Sequence, residues 1–402
     1  MADTSEAATV HPDYGQKRMI KKKKKPRKPG SGDFVLTTLV FGLTLFGILM
    51  VFSASYYTSL NAPQAGEAAG SPYYYLIKQA AFALGSSVFC IILAVIDYRI
   101  LTKFTVPIYV FTVILIGLTY VPGIGSTINN AARWIKVGPL TIIPGELIKL
   151  SIILLVAWWV SKEQNRDLDL LHTLLPLAGM VLLPVLLVYK QPSTTTAATI
   201  AIIVIGILFV AGMRIRYILS VFGLGILAVM VHILTSGGGY RSSRIKSFLD
   251  PFSDERGSGY QVIQGLYALA SGGLKGLGLG HSVQKKLYLP DPQNDFILAI
   301  IGEELGYLGL LALLAAYMLL IWRCVRIALR APDTLGMLIA SGITIMLAVQ
   351  VLLNIMVVSS LMPPTGVTLP FISYGGTAIL LFLSSMGIMI NISRQESKEG
   401  NG

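Results

Sequence analysis

FILAIIGEELGYLGLLALLAAYMLLIW, residues 296–322, runs for 27 positions with only Glu303 and Glu304 charged. At 1.5 Å per helical residue, such a run spans a hydrocarbon layer about 30 Å thick. A carboxylate at that depth costs at least ~2.5–3.5 kcal/mol. Such groups therefore face a bundle interior or a wet cavity, or sit near a helix end beside a basic partner. In each case the chain carries polar machinery inside a membrane domain.

Composition agrees. The chain has 402 residues, of which 54% are hydrophobic and only 13% charged, where soluble domains carry about 25% charged residues. Apolar stretches of spanning length recur at 34–54, 75–96, 105–121, 147–160, 170–189, 195–213, 217–235, 296–322, 335–358 and 377–392. The expected fold is thus an all-α polytopic membrane protein of about ten transmembrane helices. Basic residues orient it. Arg99 and Lys103, Lys162 and Arg166, Arg214 and Arg216, and Arg323, Arg326 and Arg330 follow the even-numbered spans. The opposite loops at 55–74 and 359–376 contain no Lys or Arg. By the positive-inside rule, both termini are cytoplasmic.

The segment Lys17–Lys28, KRMIKKKKKPRK, holds nine basic residues and no acid. Directly before a spanning helix it reads as an anchor on anionic lipid rather than a nucleic-acid arm. The first apolar run is too long for the core of a cleavable signal peptide. Residues 1–33 read as a disordered basic cytoplasmic tail, 34–394 as the transmembrane domain and 395–402 as a short cytoplasmic tail. Cys90 and Cys324 imply neither a disulfide framework nor a metal site.

Between spans seven and eight, 236–295 forms a long extracytoplasmic loop. It contains YQVIQGLYALA at 260–270, which suits a helix lying in the interface, and the glycine-rich SGGLKGLGLG at 271–280. With no strand before it, that glycine run does not read as a nucleotide site. Three more segments place polar groups on the same face. NNAARWIKVGPLTIIPGELIK at 129–149 offers Arg133, Trp134, Lys136, Glu146 and Lys149; QPSTTT occupies 191–196; TGVTLPFISYGG at 365–376 includes Thr368 and Ser373. Non-helical backbone at membrane depth is tolerated only inside protein or lining a cavity. A shared outer cavity with Arg and Lys suits a phosphate-bearing substrate.

Together these segments resemble the shape, elongation, division and sporulation family, whose members include FtsW, RodA and SpoVE. NNAARWIKVGPL resembles the family's N-G-A-x-R-W-I segment, and PGELIKL its Q-P-S-E-x-x-K-L, with Ile143 and Gly145 in place of Gln and Ser. DPFSDERGSGYQVIQGLYALASGG, GLGLGHSVQKKLYLPDPQNDFILAIIGEELG and PPTGVTLPFISYGG correspond to other family signatures. The PPTG form and the basic N-terminus are more similar to the FtsW and SpoVE branches of Gram-positive bacteria than to RodA. The resemblance implies a ten-span enzyme of the bacterial cytoplasmic membrane that polymerises lipid II into glycan strands. It also implies a class B penicillin-binding protein and other division proteins as partners, and a substrate site that draws in Gln261, Lys285, Glu303 and Glu304 as well. A divalent cation such as Mg2+ is compatible with a diphosphate leaving group, although no dedicated carboxylate cage is visible.

One position departs from the pattern. Where the family reads E/Q-P-D-x-G-T, with the aspartate regarded as catalytic, this chain has Ser193 and Thr195. An unassisted serine hydroxyl is too weak a base to accept a proton from an attacking sugar hydroxyl. Either another outer carboxylate, Asp295 or Glu146, takes that role, or the chain binds lipid II without polymerising it efficiently. A scaffold for a division or sporulation complex and a lipid-precursor flippase are the alternative functions. The absence of visible internal repeats weighs against a transporter.

The charge asymmetry makes a topological prediction. In intact cells, a membrane-impermeant thiol probe is expected to label a cysteine placed near residue 256 and to spare one near residue 398. The reverse pattern refutes the orientation.

Overall fold

The computed structural model describes residues 30, 32–61, 70–128, 131–138, 140–162, 175–191, 193–214, 216–217, 220, 248–254 and 259–395. The basic run at 17–28, nearly all of the span read at 217–235, residues 236–247 and the tail beyond 395 lie outside the described residues. Nine of the ten expected spans correspond to helices: α1 Phe34–Leu60, α2 Tyr74–Val95, α3 Tyr98–Leu118, α4 Pro144–Lys162, α5 Leu175–Lys190, α6 Thr194–Val210, α8 Ile297–Leu329, α9 Thr334–Val358 and α10 Gly376–Arg394. Seven of them are long and apolar enough to cross a membrane, while α5 and α6 are shorter. Between them, α7 (Tyr260–Ser271) follows a short 3₁₀ helix at Pro251–Asp254.

Aspartates begin three of the helices. The Asp33 carboxylate accepts from the Leu36 amide at 2.9 Å, Asp97 from Arg99 at 2.9 Å, and Asp333 from Gly336 at 2.7 Å. Each satisfies an amide that the first turn leaves without a helical partner. These caps also tie helices together. Asp333 accepts from Tyr98 and Arg99 of the α2–α3 corner, and Asp33 pairs with Arg323 of α8. The Gly30 amide donates to the Arg394 carbonyl at 2.8 Å, so the start of α1 and the end of α10 meet at one end of the bundle. Helices α10, α4 and α9 form the buried centre, whereas α2, α3 and α8 leave most of their apolar surface uncovered.

The all-α expectation needs one correction. Residues 125–142 form a three-stranded antiparallel sheet, β1 Gly125–Ile128, β2 Ala131–Val137 and β3 Leu140–Ile142. Register pairs Ser126 with Trp134, Ile135 with Ile142 and Lys136 with Thr141. The local reason is a period of two: Ile135 is buried while Lys136 is exposed, and Gly138, at φ +60°, supplies the turn into β3.

The stretch that opened the sequence reading is not one straight helix. At Gly306 (φ 67°, ψ −170°) α8 breaks. Its lost helical bonds are replaced by the glycine-rich loop. The amides of Leu277 and Gly278 donate to the carbonyls of Glu303 and Glu304, both at 2.9 Å, and those of Tyr307 and Leu308 donate to Gly273 and Leu274 at 2.9 and 3.2 Å. Helix α7 is not an interfacial helix lying free. Val262, Ile263, Gly265 and Ala268 are buried, and a Cβ at Gly265 would meet the Phe296 ring at 2.8 Å.

A side chain at Gly306 would lie 2.3 Å from the Gly276 amide nitrogen, in a backbone region that costs a non-glycine residue about 1–3 kcal/mol. Gly306→Ala is therefore expected to lower the thermal midpoint and folded yield of the detergent-purified protein. Gly42→Ala, in the interior of α1 with open space around it, is expected to leave both unchanged or raise them slightly. Equal behaviour of the two variants contradicts the spliced-helix account.

Candidate functional site

At the bundle end opposite Gly30 and Arg394, the first turns of α4 and α6 come together. A Cβ at Gly145 would sit 3.8 Å from Thr196 and 3.9 Å from the Gln191 amide oxygen. A Cβ at 145 would therefore make only ordinary van der Waals contact with α6 and the residue that leads into it. Ser193 precedes the first turn of α6, is half-buried, and donates its hydroxyl to Thr196 Oγ1 at 2.8 Å. Gln191, itself buried, donates to Thr119 Oγ1 at 2.7 Å. Its carbonyl accepts from Arg133 Nε at 2.9 Å, so strand β2 delivers a guanidinium to within two residues of Ser193.

Glu146 and Lys149, three apart in α4, form a buried ion pair with Nζ 2.9 Å from both carboxylate oxygens. Lys149 also donates to the Gln350 side-chain oxygen of α9 at 3.0 Å. Gln350 in turn reaches the carbonyl and hydroxyl of Thr368, both at 3.4 Å. One turn away, Asn354 donates to the carbonyls of Val367 at 2.7 Å and Asp295 at 2.8 Å. Ser373 accepts from the Leu369 amide at 2.7 Å, while its carbonyl accepts from Gln79 of α2 at 3.1 Å. The irregular 365–375 segment is thereby held on both sides, by α9 and by α2. Close beneath it, a Cβ at Gly47 of α1 would lie 2.4 Å from the Phe371 carbonyl.

Glu303, Glu304 and Lys285 belong to a second cluster. All three are buried. Glu303 accepts from Ser282, from the Val283 amide at 2.9 Å and from Ser271 at 3.3 Å. Glu304 pairs with Lys285 at 2.8 Å, and Ser53 of α1 joins them, donating to Glu304 at 2.7 Å and accepting from Lys285 at 2.9 Å. The two glutamates thus hold opposite sides of one loop: Glu303 through neutral donors, Glu304 through an ion pair. The geometry assigns them to positioning the 271–296 loop.

Trp134 and Gln261 are half-buried and Lys136 is exposed on β2. Asp295 is half-buried just before α8. Nearby Asp291 reaches solvent, yet the protein atoms crowding its carboxyl push its pKa above the ordinary carboxylate value. Among the described residues, no three His, Cys, Asp or Glu side chains are grouped so as to hold a metal ion; the residues present do not form a dedicated metal site. Gln350 and Asn354, Thr119, Gln191, Ser53 and Ser282 were not singled out by the sequence reading. The first two had a signal, an amide pair at i and i+4 in an otherwise apolar helix. The others are brought in only by long-range contacts.

Three comparisons bear on this architecture. The family described as Cell cycle protein (FTSW_RODA_SPOVE) matches residues 34–398. The chain is 38% identical over 376 residues to a probable peptidoglycan glycosyltransferase FtsW of Trichlorobacter lovleyi, covering 93% of this chain and 96% of that one. It is 37% identical over 367 residues to the stage V sporulation protein E of Bacillus subtilis, covering 91% and 98%. A structure solved for "Structural coordination of polymerization and crosslinking by a peptidoglycan synthase complex" superposes with a TM-score of 0.70 at 29% identity, covering 92% of this chain and 99% of that one. The rod shape determining protein RodA of Thermus thermophilus superposes with a TM-score of 0.64 at 26% identity, with the same coverage.

Removing one partner of the buried Lys285–Glu304 pair leaves a charge uncompensated, at a typical cost of about 3–5 kcal/mol. Glu304→Gln is expected to lower folded yield and thermal midpoint sharply, and the double variant Lys285→Met/Glu304→Leu to recover much of the loss. Glu303→Gln keeps an acceptor for Ser282 and the Val283 amide and is expected to be milder. Identical effects of the two single glutamate variants count against this division of roles.

Proposed function

The chain belongs to the FtsW/RodA/SpoVE family of cell cycle proteins, and from that premise we propose that it is a peptidoglycan glycosyltransferase polymerising lipid II during cell division or sporulation. It is a multi-pass protein of the bacterial membrane. Its proposed topology has ten spans, both termini in the cytoplasm and the 236–295 loop outside. The single observation that carries the reading is the convergence of Arg133, Ser193, Glu146, Lys149, Gln350 and Thr368 at one end of the bundle. Cations and amides there suit a sugar diphosphate.

In the reaction, an acceptor sugar hydroxyl attacks the anomeric carbon of a lipid-linked donor. The new carbon–oxygen bond forms as the bond to the diphosphate breaks, the polyprenyl diphosphate leaves, and the hydroxyl proton passes to a base. Glu303 and Glu304 are saturated by the loop they hold. Glu146 shares its charge with Lys149. Among the described residues, the carboxylates of Asp291 and Asp295 before α8 and of Asp250 before the 3₁₀ helix are the remaining candidates. Of these, Asp291 has the raised pKa that brings a carboxylate closer to the strength a base needs near neutral pH.

A second reading has its own support. The Ser193 hydroxyl is spent on Thr196, so a chain that binds lipid II but polymerises it poorly, and serves as a scaffold, fits the same geometry. In either role, a class B penicillin-binding protein is the proposed partner. The exposed apolar face of α8, with Leu308, Leu311, Met318 and Leu319, suits a single transmembrane helix.

Polymerisation of lipid II by the purified chain, alone and with its penicillin-binding protein, tests the proposal. If Ser193 marks a disabled position, Ser193→Asp is expected to raise the rate by about 10²–10⁴-fold, the usual worth of a general base, with lipid II affinity little changed. Thr195→Gly is combined with it where the aspartate alone does not suffice. A wild-type chain that polymerises well and is silenced by substituting Asp250, Asp291, Asp295 or Glu146 with its amide rejects the disabled reading. That result also identifies the base.

A further inference from the structure

Phe371 has a φ of 67°, a left-handed backbone that side chains disfavour and that persists only where the surroundings over-determine it. Leu369 and Ser373 close a turn around it: the Leu369 amide donates to Ser373 Oγ at 2.7 Å, and the Ser373 amide to the Leu369 carbonyl at 3.0 Å. The Phe371 ring packs on Phe382 of α10, with 5.6 Å between centroids. Gly47 of α1 leaves room for the turn, since a Cβ there would lie 2.6 Å from the Ile372 Cα. From α8, the Tyr317 hydroxyl donates to the Pro370 carbonyl at 2.5 Å. That carbonyl belongs to the peptide unit joining Pro370 to Phe371, so the bond fixes the plane about which the Phe371 φ is measured.

Tyr317 is buried, while its neighbours Met318 and Leu319 are exposed on the apolar outer face of α8. A phenylalanine would fill the same space with no hydroxyl to satisfy; what tyrosine adds is the bond to Pro370. The turn it holds leads directly into the candidate site. Thr368 precedes Leu369, and its carbonyl and hydroxyl lie 3.4 Å from the Gln350 amide nitrogen. Gln350 accepts from Lys149, which pairs with Glu146. A rotated Pro370–Phe371 peptide would therefore carry Thr368 away from Gln350.

We propose that Tyr317 is a positioning residue of the lipid II site. Its hydroxyl keeps Phe371 left-handed and so holds Thr368, Gln350 and the Glu146–Lys149 pair in one arrangement. It acts through the 368–371 backbone rather than on the substrate. The role rests on reading this end of the bundle as the place where lipid II binds, which the catalytic and scaffold readings share.

The test compares two hydroxyl deletions in the full chain. Tyr317→Phe removes the bond to Pro370. Tyr109→Phe removes a bond of the same kind elsewhere, from the Tyr109 hydroxyl of α3 to the Met180 carbonyl of α5 at 2.6 Å. A trifluoromethyl thiol label at Gly366→Cys reports on the segment: position 366 is exposed with nothing within 4 Å of its Cβ, and the native Cys90 and Cys324 are buried. Tyr317→Phe is expected to shift or split the label's fluorine resonance. In unlabelled protein it is expected to weaken lipid II binding by about tenfold, the worth of one hydrogen bond. Tyr109→Phe is expected to change neither quantity, even where the two variants lose thermal stability alike. An unmoved resonance, an unchanged affinity in a chain that binds lipid II, or equal effects of the two variants overturns the positioning role. A resonance that shifts with Tyr317→Phe in a chain whose unsubstituted form binds no lipid II keeps the hold of Tyr317 on the segment and rejects the lipid II reading, so the two failures are separable.

Discussion

Inside a bilayer no water is at hand to satisfy a peptide group, so a helix can break only where other protein atoms replace its lost hydrogen bonds. The break at Gly306 in α8 is the point on which this end of the molecule depends. Four backbone bonds from the 273–278 loop splice the two halves of the helix. The Glu303 and Glu304 side chains, emerging just before the break, then reach back to hold the continuation of that loop at Ser282–Lys285. Glycines at 276 and 306 allow the approach, since a Cβ on either would lie within 2.3 Å of the opposing backbone. Carboxylates that looked expensive at membrane depth are offset by the loop they organise.

The same principle shapes the site itself. The ion pair Glu146–Lys149 is buried, and its exposed valences are directed sideways to Gln350 and so to Thr368. A buried ion pair adds little net stability, but here it links α4, through Gln350 of α9, to Thr368 of the irregular segment. Arg133 arrives from a small sheet rather than a helix. An extended strand turns alternate side chains to opposite faces, which puts Arg133 against the Gln191 carbonyl while Lys136 stays in solvent.

The substitutions that separate this chain from the family pattern also fall together in space. Gly145 lies where α6 approaches α4, and Ser193, just before α6, donates its hydroxyl to Thr196. A carboxylate at 193 would project an acceptor beside the Gln191–Arg133 contact. The serine leaves that corner hydrogen-bonded to itself.

Much of the architecture was legible in the residues alone. Length and hydropathy located the spans because a bilayer imposes one length scale on every helix. The motifs at 129–149, 191–196, 260–304 and 365–376 supply the polar contacts described above. The sheet at 125–142 was missed because three short strands are outvoted by the helices around them, although the alternation of Ile135 and Lys136 was present. Which of two adjacent glutamates meets a lysine, and which amides of α9 anchor the 365–375 segment, depended on contacts between segments separated in the chain. Local sequence carries periodicity and charge, which determine where helices lie in a membrane. Partners for buried polar groups are chosen only when distant segments pack, and only the tertiary structure decides them.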